Sequence, residues 1–315
     1  MGSFPEPRFA LAFGRHVPLV PRTPRRPAMK TLLVPVTLHD ALPSVFATAV
    51  LVARRFGSLI EGVALRPALA EYVPVDMVGG MTWLRDEEAD QAEAQDAGQR
   101  FVAAMEAAGL PRREPGASCA PDAVPNAGPR YRWQPDVPPG DAFLGQYARL
   151  FSATVVGRPG ADDGSPRMTT FETALFESGR PILLAPPAAP ACLGEAVLIA
   201  WNGSTETARA LAFAMPFLRR ARRVLVVSAE GGMVPGPSAE DVARSLACEG
   251  IEAAHKALPA GRRTPGELYL DTAESFGCDL LIKGAYTQSR LRQMIFGGPT
   301  SHILSHATVP VLMAH

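Results

Sequence analysis

Short apolar runs alternate with stretches of helical character along the first half of the chain. Runs of strand length cover residues 30–36, 58–65, 150–157 and 181–185, with a shorter one at 131–134. The helical stretches between them are 43–56, a long polar one at 84–109, one that starts at 141, and 169–178. Alternation of buried strands with helices predicts a mainly parallel sheet that helices cover on both faces.

The same order of elements starts again after a Pro-rich linker at residues 186–190. Predicted strands then lie at 195–201, 222–229, 251–258, 278–285 and 308–314, and predicted helices at 205–219, 237–249, 264–276 and 299–305. The sequence therefore predicts the α/β class, with two tandem doubly wound domains. Each would hold a five-stranded, mainly parallel sheet in the order 3-2-1-4-5.

Three segments follow from this division. Residues 1–28 are basic and Pro-rich and have no continuous apolar run, so we expect a disordered N-terminal extension rather than a signal peptide. Residues 29–187 form the first predicted domain. Residues 188–315 form the second.

Charge and cysteine content argue against several classes of partner and site. Lys+Arg and Asp+Glu both number 31, so the net charge is zero and nothing calls for nucleic acid or an anionic membrane as a partner. The 4 cysteines form no CxxC pair and no metal-ligand spacing, so we expect a reducing cytoplasm and no metal site. No apolar run approaches the ~20 residues of a membrane span.

Two segments of the second half carry candidate binding chemistry. Gly297 and Gly298 precede the last predicted helix, where backbone amides and the helix dipole suit a di- or triphosphate, and Thr300 and Ser301 follow with hydroxyl groups. The fourth strand of this half ends at Gly284.

The second segment is Asn202-Gly203-Ser204, directly after the first strand of the same half. In a doubly wound sheet, ligands bind outside the carboxyl ends of the strands, where the strand order reverses. Strands one and four flank that point in the order 3-2-1-4-5. We therefore expect Asn202 and Gly284 to face one crevice. Asn202-Gly203 is also a common turn pair, which is the structural alternative.

The second half resembles a universal stress protein domain. The family loop is G-x-x-G, nine residues, then a glycine pair with Ser or Thr; here the chain reads Gly284-Ala-Tyr-Thr287, residues 288–296, then Gly297-Gly298-Pro299-Thr300. The specific likeness covers residues 195–315, while residues 30–187 share the layout. Overall the chain is similar to tandem, UspA-like bacterial members.

The resemblance implies that ATP, with magnesium as a candidate companion ion, binds in the second half. The implied nucleotide-binding residues are Asn202, Gly203, Ser204, Gly284, Thr287, Gly297, Gly298, Thr300 and Ser301. It also implies that the final strands of the two halves, near 181–185 and 308–314, pair within the chain, and it leaves a homodimer as a further assembly.

Some residues depart from the family pattern. Thr287 replaces the second glycine, Asn202 replaces an acidic residue that contacts the nucleoside, and Pro299 removes one amide. The first half has no glycine pair at the required distance, and Asp162 and Asp163 there would repel phosphate. We predict that the first half binds no nucleotide.

The leading hypothesis is a cytoplasmic stress-response protein that binds ATP or another adenine nucleotide as a regulator. No catalytic residue set can be identified, so hydrolysis would be slow at most. One alternative is an interaction module without nucleotide that acts through protein partners. Another is an adenylyl-transfer enzyme, which would need catalytic residues that the sequence does not reveal.

Overall fold

The computed structural model of the chain describes residues 29–66, 87–113, 128–160, 164–259, 261–285 and 299–315. The predicted extension at residues 1–28 lies outside these ranges. No helix of the described ranges is both long and apolar enough to cross a membrane.

The described elements of the first half run strand, helix, strand in the predicted sequence. They are β1 (Thr31–Val36), α1 (Leu42–Phe56), β2 (Leu59–Ala64), α2 (Glu87–Ala107), β3 (Arg130–Gln134), α3 (Asp141–Tyr147), β4 (Ala153–Gly157), α4 (Met168–Phe176) and β5 (Ile182–Ala185).

The second half repeats this order. Its described elements are β6 (Ala196–Ala200), α5 (Thr205–Leu218), β7 (Arg223–Ala229), α6 (Ala239–Cys248), β8 (Ala254–Leu258), α7 (Pro265–Phe276), β9 (Leu280–Gly284), α8 (Pro299–His306) and β10 (Val311–Ala314).

The strands of the described ranges form one continuous sheet, in the order β3-β2-β1-β4-β5-β10-β9-β6-β7-β8. Within each half every pairing is parallel, and the order is 3-2-1-4-5. The predicted fold class and strand order are therefore confirmed. The domain boundary between residues 187 and 188 stays a prediction.

The two halves meet where β5 pairs with β10 in antiparallel register, with Leu183 opposite Leu312. This is the pairing that the family resemblance implied. Because β5 and β10 run antiparallel and each half is internally parallel, the strands of the two halves point in opposite directions. The carboxyl ends of the strands in one half therefore lie at the opposite end of the strands from those in the other half. The strand ends at Gly157 and at Gly284 therefore lie on opposite sides of the molecule.

Alternate strand residues enter two hydrophobic layers, one on each face of the sheet. Val34, Ile199 and Leu312 lie in one layer, and neighbouring residues such as Leu198 and Met313 lie in the other. Because both layers run through both halves, the halves share their cores.

One predicted strand begins later than expected. The apolar run at 150–157 contains β4, but Leu150 ends a short 3-10 turn and exposes 73% of its surface. The chain has to leave α3 and turn before it can enter the sheet, and apolar content alone did not reveal that turn.

A buried carboxylate fixes the connection between the halves. Asp279, just before β9, accepts hydrogen bonds from the backbone N–H groups of Gly194, Glu195 and Ala196, each at 2.9 Å. Glu195 also forms an ion pair with Arg55 of α1 at 2.5 Å. The segment that leads into β6 is thereby tied to both halves.

Replacing Asp279 by Asn should destabilise the protein by about 2 kcal/mol, because the amide NH₂ cannot accept and would leave one partly buried N–H without a partner. Urea unfolding measures this change. The matched control is Asp271→Asn, which removes a charge from a surface pair with Arg263 and should cost less than about 0.5 kcal/mol. Equal effects of the two variants would contradict the anchoring role.

Candidate functional site

The turn between β6 and α5 is held by its own side chains. Asn202 Oδ1 accepts the hydroxyl of Thr207 at 2.6 Å and the backbone N–H of Ser204 at 3.2 Å. Ser204 caps α5 by accepting the backbone N–H of Thr207 at 3.2 Å. The amide oxygen of Asn202 is therefore committed to the turn, and its NH₂ group is what it can offer to a ligand.

Gly203 occupies a position that other residues adopt poorly. Its φ is 82°, and a Cβ there would lie 2.8 Å from the carbonyl oxygen of Val234. Val234 in turn donates its N–H to the carbonyl of Asn202 at 2.9 Å. Gly203 thus lets the turn pack against a neighbouring loop, which is a structural role.

The end of β9 lies directly against the first turn of α5. A Cβ on Gly284 would overlap the backbone nitrogen of Thr207 and lie 2.6 Å from its hydroxyl oxygen. Since Thr207 also binds Asn202, the structure brings Gly284 and the Asn202 turn together, as the strand order predicted.

A buried lysine lies beside these residues. It was not among the predicted site residues. Lys283 exposes only 6% of its surface, and its Nζ donates to the carbonyl of Gly284 at 3.0 Å and to Thr300 Oγ1 at 3.1 Å. Burial lowers the pKa of Lys283 to about 8. The available signal was the single charge inside the apolar run of β9.

The first turn of α8 completes this edge. The helix begins at Pro299 as expected, Thr300 is buried, and Ser301 is partly buried. Three other predicted site residues, Thr287, Gly297 and Gly298, lie outside the described residues. Of the predicted set, the structure therefore gathers Asn202, Gly203, Ser204, Gly284 and Thr300 around the ends of β6 and β9.

The start of α5 carries its own negative charge. Glu206 is buried in the first turn, where one of its oxygens accepts the hydroxyl of Thr205 at 3.0 Å and the other has no partner among the described residues. Burial acts to raise the pKa of Glu206, but hydrogen bonds from its own backbone N–H, Thr205 and Ser204 outweigh it, so the pKa is lowered. A carboxylate at this helix start disfavours an additional anion there.

The corresponding edge of the first half is filled by the chain itself. Gly157 ends β4 as Gly284 ends β9, but a Cβ on Gly157 would lie 2.5 Å from Pro166 Cγ and 3.1 Å from His39 Cε1. The N–H of Asp40 donates to the carbonyl of Gly164 at 3.0 Å. That the first half binds no nucleotide stays a prediction; Asp162 and Asp163 lie outside the described residues.

His39 lies beside the end of β4 in a largely buried environment. Burial lowers its pKa to about 4, although Asp40 acts in the opposite direction. The ring is therefore neutral at pH 7, and its Nδ1 has no partner among the described residues.

The family model of the universal stress proteins matches residues 195–315. Residues 195–315 form a universal stress protein domain. The matched range contains every element that forms the site, from β6 to β10. No curated protein sequence matches the chain.

Solved structures add evidence on the fold. A universal stress protein from Archaeoglobus fulgidus is 17% identical, covers 91% of this chain and 98% of its own, and has a TM-score of 0.62. A structure described as a putative universal stress protein from Pseudomonas aeruginosa is 16% identical, covers 91% of this chain and 93% of its own, and has a TM-score of 0.46. A universal stress protein in complex with cAMP is 15% identical, covers 38% and 97%, and has a TM-score of 0.31. The likeness to the Archaeoglobus fulgidus structure is one of fold.

In this universal stress protein domain, replacing Asn202 by Ala should destabilise the fold by about 1–2 kcal/mol, because a buried hydroxyl and a backbone N–H lose their acceptor. Asn202→Asp keeps an oxygen at the same place, beside a helix start, and should stay within about 0.5 kcal/mol of wild type. Urea unfolding of both variants makes the comparison. If the Ala variant were as stable as the Asp variant, the turn would not depend on this oxygen.

The stability of the universal stress protein domain should depend on pH through Lys283. The unfolded chain keeps the ordinary lysine pKa of 10.5, so above the folded value of about 8 it binds more protons than the folded chain. The free energy of unfolding of wild type should therefore rise with pH, by about 1 kcal/mol from pH 7 to pH 9, relative to Lys283→Met. If the free energies of unfolding of the two proteins, measured in urea, changed with pH in parallel, the ammonium would not be desolvated.

Proposed function

We propose that the C-terminal domain binds an adenine nucleotide, with ATP as the leading candidate, across the ends of β6 and β9. The observation that carries this proposal is the contact of Gly284 with Thr207, because it joins the first turn of α5 to the strand that leads to α8. Two helix starts and two strand ends thereby border one edge at the point where the strand order reverses.

The arrangement suggests how the ligand is divided along this edge. The NH₂ group of Asn202 can donate to a ribose hydroxyl, while the hydroxyl of Thr300 lies at the start of α8. The carboxylate of Glu206 lies in the first turn of α5 and disfavours phosphate there. We therefore assign the nucleoside to the β6–α5 side and the phosphates to the α8 side.

The proposed role is regulatory rather than catalytic. A general base works best when its pKa lies near the working pH. The pKa of Glu206 is lowered, which makes this carboxylate a weak base. Any hydrolysis of bound ATP, with or without magnesium, would therefore be slow.

A specific observation favours the alternative, an interaction module without nucleotide. The oxygen of Asn202, which stands where the family has an acidic contact to the nucleoside, is committed to the hydrogen bonds of the turn. A domain of this kind would act through protein partners and would gain no stability from ATP.

Thermal unfolding of nucleotide-free protein, with and without millimolar ATP and magnesium, tests the proposal. A ligand present at about 100 times its dissociation constant adds about 2.7 kcal/mol to the stability of wild type. Thr300→Val should lose much of the ATP-induced shift, because the donor hydroxyl at α8 is gone. The matched control, Thr308→Val, changes an exposed residue outside the site and should keep the full shift.

Each other outcome has a definite meaning. If wild type, verified free of nucleotide by mass spectrometry, shows no shift, ATP binding is refuted and the interaction module takes its place. If Thr300→Val keeps the whole shift, the nucleotide binds elsewhere on the chain.

A further inference from the structure

Lys283 is a charged group in an apolar environment. The chain has three lysines, Lys30, Lys256 and Lys283. The residues before Lys283 in β9 are Leu280, Leu281 and Ile282, all fully buried. A lysine in such a strand is costly to bury unless something compensates its charge.

No described residue supplies that compensation. The ammonium is hydrogen-bonded to the carbonyl of Gly284 and to the hydroxyl oxygen of Thr300, and no carboxylate of the described ranges forms an ion pair with it. The adjoining segment 286–298 contains no Asp or Glu in its sequence. The described residues use two of its three N–H groups and leave one donor and the charge for an anion.

The hydrogen bond from Lys283 also sets the direction in which the hydroxyl of Thr300 can donate. Because the Nζ donates to Thr300 Oγ1, the proton of that hydroxyl points away from the lysine, and no described residue accepts it. Thr300 is buried in the first turn of α8, at the positive end of the helix. The charge of Lys283, the hydroxyl of Thr300 and the start of α8 therefore all favour an anionic ligand group.

We infer that Lys283 makes the C-terminal crevice selective for ligands that carry an anionic phosphate chain, by placing a positive charge behind the donor hydroxyl of Thr300. This inference rests on the proposed nucleotide binding and deepens it. Lys283 acts here as a specificity-determining residue: it discriminates ATP from adenosine, while the nucleoside contacts lie on the β6–α5 side.

Binding of ATP, inorganic tripolyphosphate and adenosine to wild type and to Lys283→Met tests the inference by calorimetry or thermal shift. Met fills a similar volume without charge. The variant should bind ATP and tripolyphosphate about 10- to 100-fold more weakly, the usual scale of a hydrogen bond to a charged group, and should bind adenosine as wild type does. Lys256→Met, on the exposed strand β8, is the matched control and should change none of the three.

The outcomes separate this inference from the proposed function. If Lys283→Met binds ATP as tightly as wild type, or loses adenosine to the same degree as ATP, the charge does not select the ligand and the inference fails. If wild type binds no nucleotide, the proposed function fails. The binding of tripolyphosphate to wild type and to Lys283→Met is then the test of the inference. Binding to wild type but not to the variant then supports the phosphate preference, and binding to neither overturns it.

A measurement on wild type covers the case in which the variant does not fold. With isotope-labelled lysine, the three lysines give three NMR side-chain signals that single Lys→Arg substitutions at 30 and 256 assign. Tripolyphosphate should raise the pKa of Lys283 and move its signal at pH 8.5, while adenosine should leave it in place. An unmoved Lys283 signal under saturating tripolyphosphate would refute the inference.

Discussion

The antiparallel pairing of β5 with β10 is the interaction on which the rest of this structure depends. Both strands are short, apolar and buried along their whole length, ILLA in one and VLMA in the other. In separate halves, each would be an exposed sheet edge with unpaired backbone groups. Their pairing removes both edges, merges the two hydrophobic layers and turns the carboxyl ends of the two halves to opposite edges of the sheet. Contacts across this seam follow, such as Arg158 with the carbonyl of Ala307 and Phe176 with the ring of His315.

The two halves share one topology but differ in the residues at the ends of their first and fourth strands. In the first half α1 starts without a side-chain cap, and Pro166 packs beside the end of β4. In the second half Ser204 caps α5, and the end of β9 contacts that helix. The local residues after strands one and four, rather than the strand order, therefore determine the packing at these strand ends.

Sequence patterns predicted the fold well because apolar runs and helix caps are local signals that agree with the burial of each strand. They also placed Gly284 and Asn202 at one edge, since strand order alone brings them together. Two features needed the structure. The commitment of the Asn202 oxygen depends on the rotamer of Thr207, and the charge state of Lys283 depends on burial by α8, which is separated from it in sequence by segment 286–298. Neither can be derived from residue type and spacing.

Lys283 links the site to the stability of the whole chain. A buried ammonium that no described carboxylate compensates makes β9 less stable than an apolar residue would. An anion bound beside it, as proposed above, would offset this loss of stability. β9 pairs with β10, and β10 pairs with β5, so stabilisation of this strand acts on the seam between the halves. Under the proposed binding, ligand occupancy would therefore stabilise the contact between both halves through these two strand pairings. This coupling would require no change of fold, only a charge that no described carboxylate compensates and that the proposed ligand would compensate.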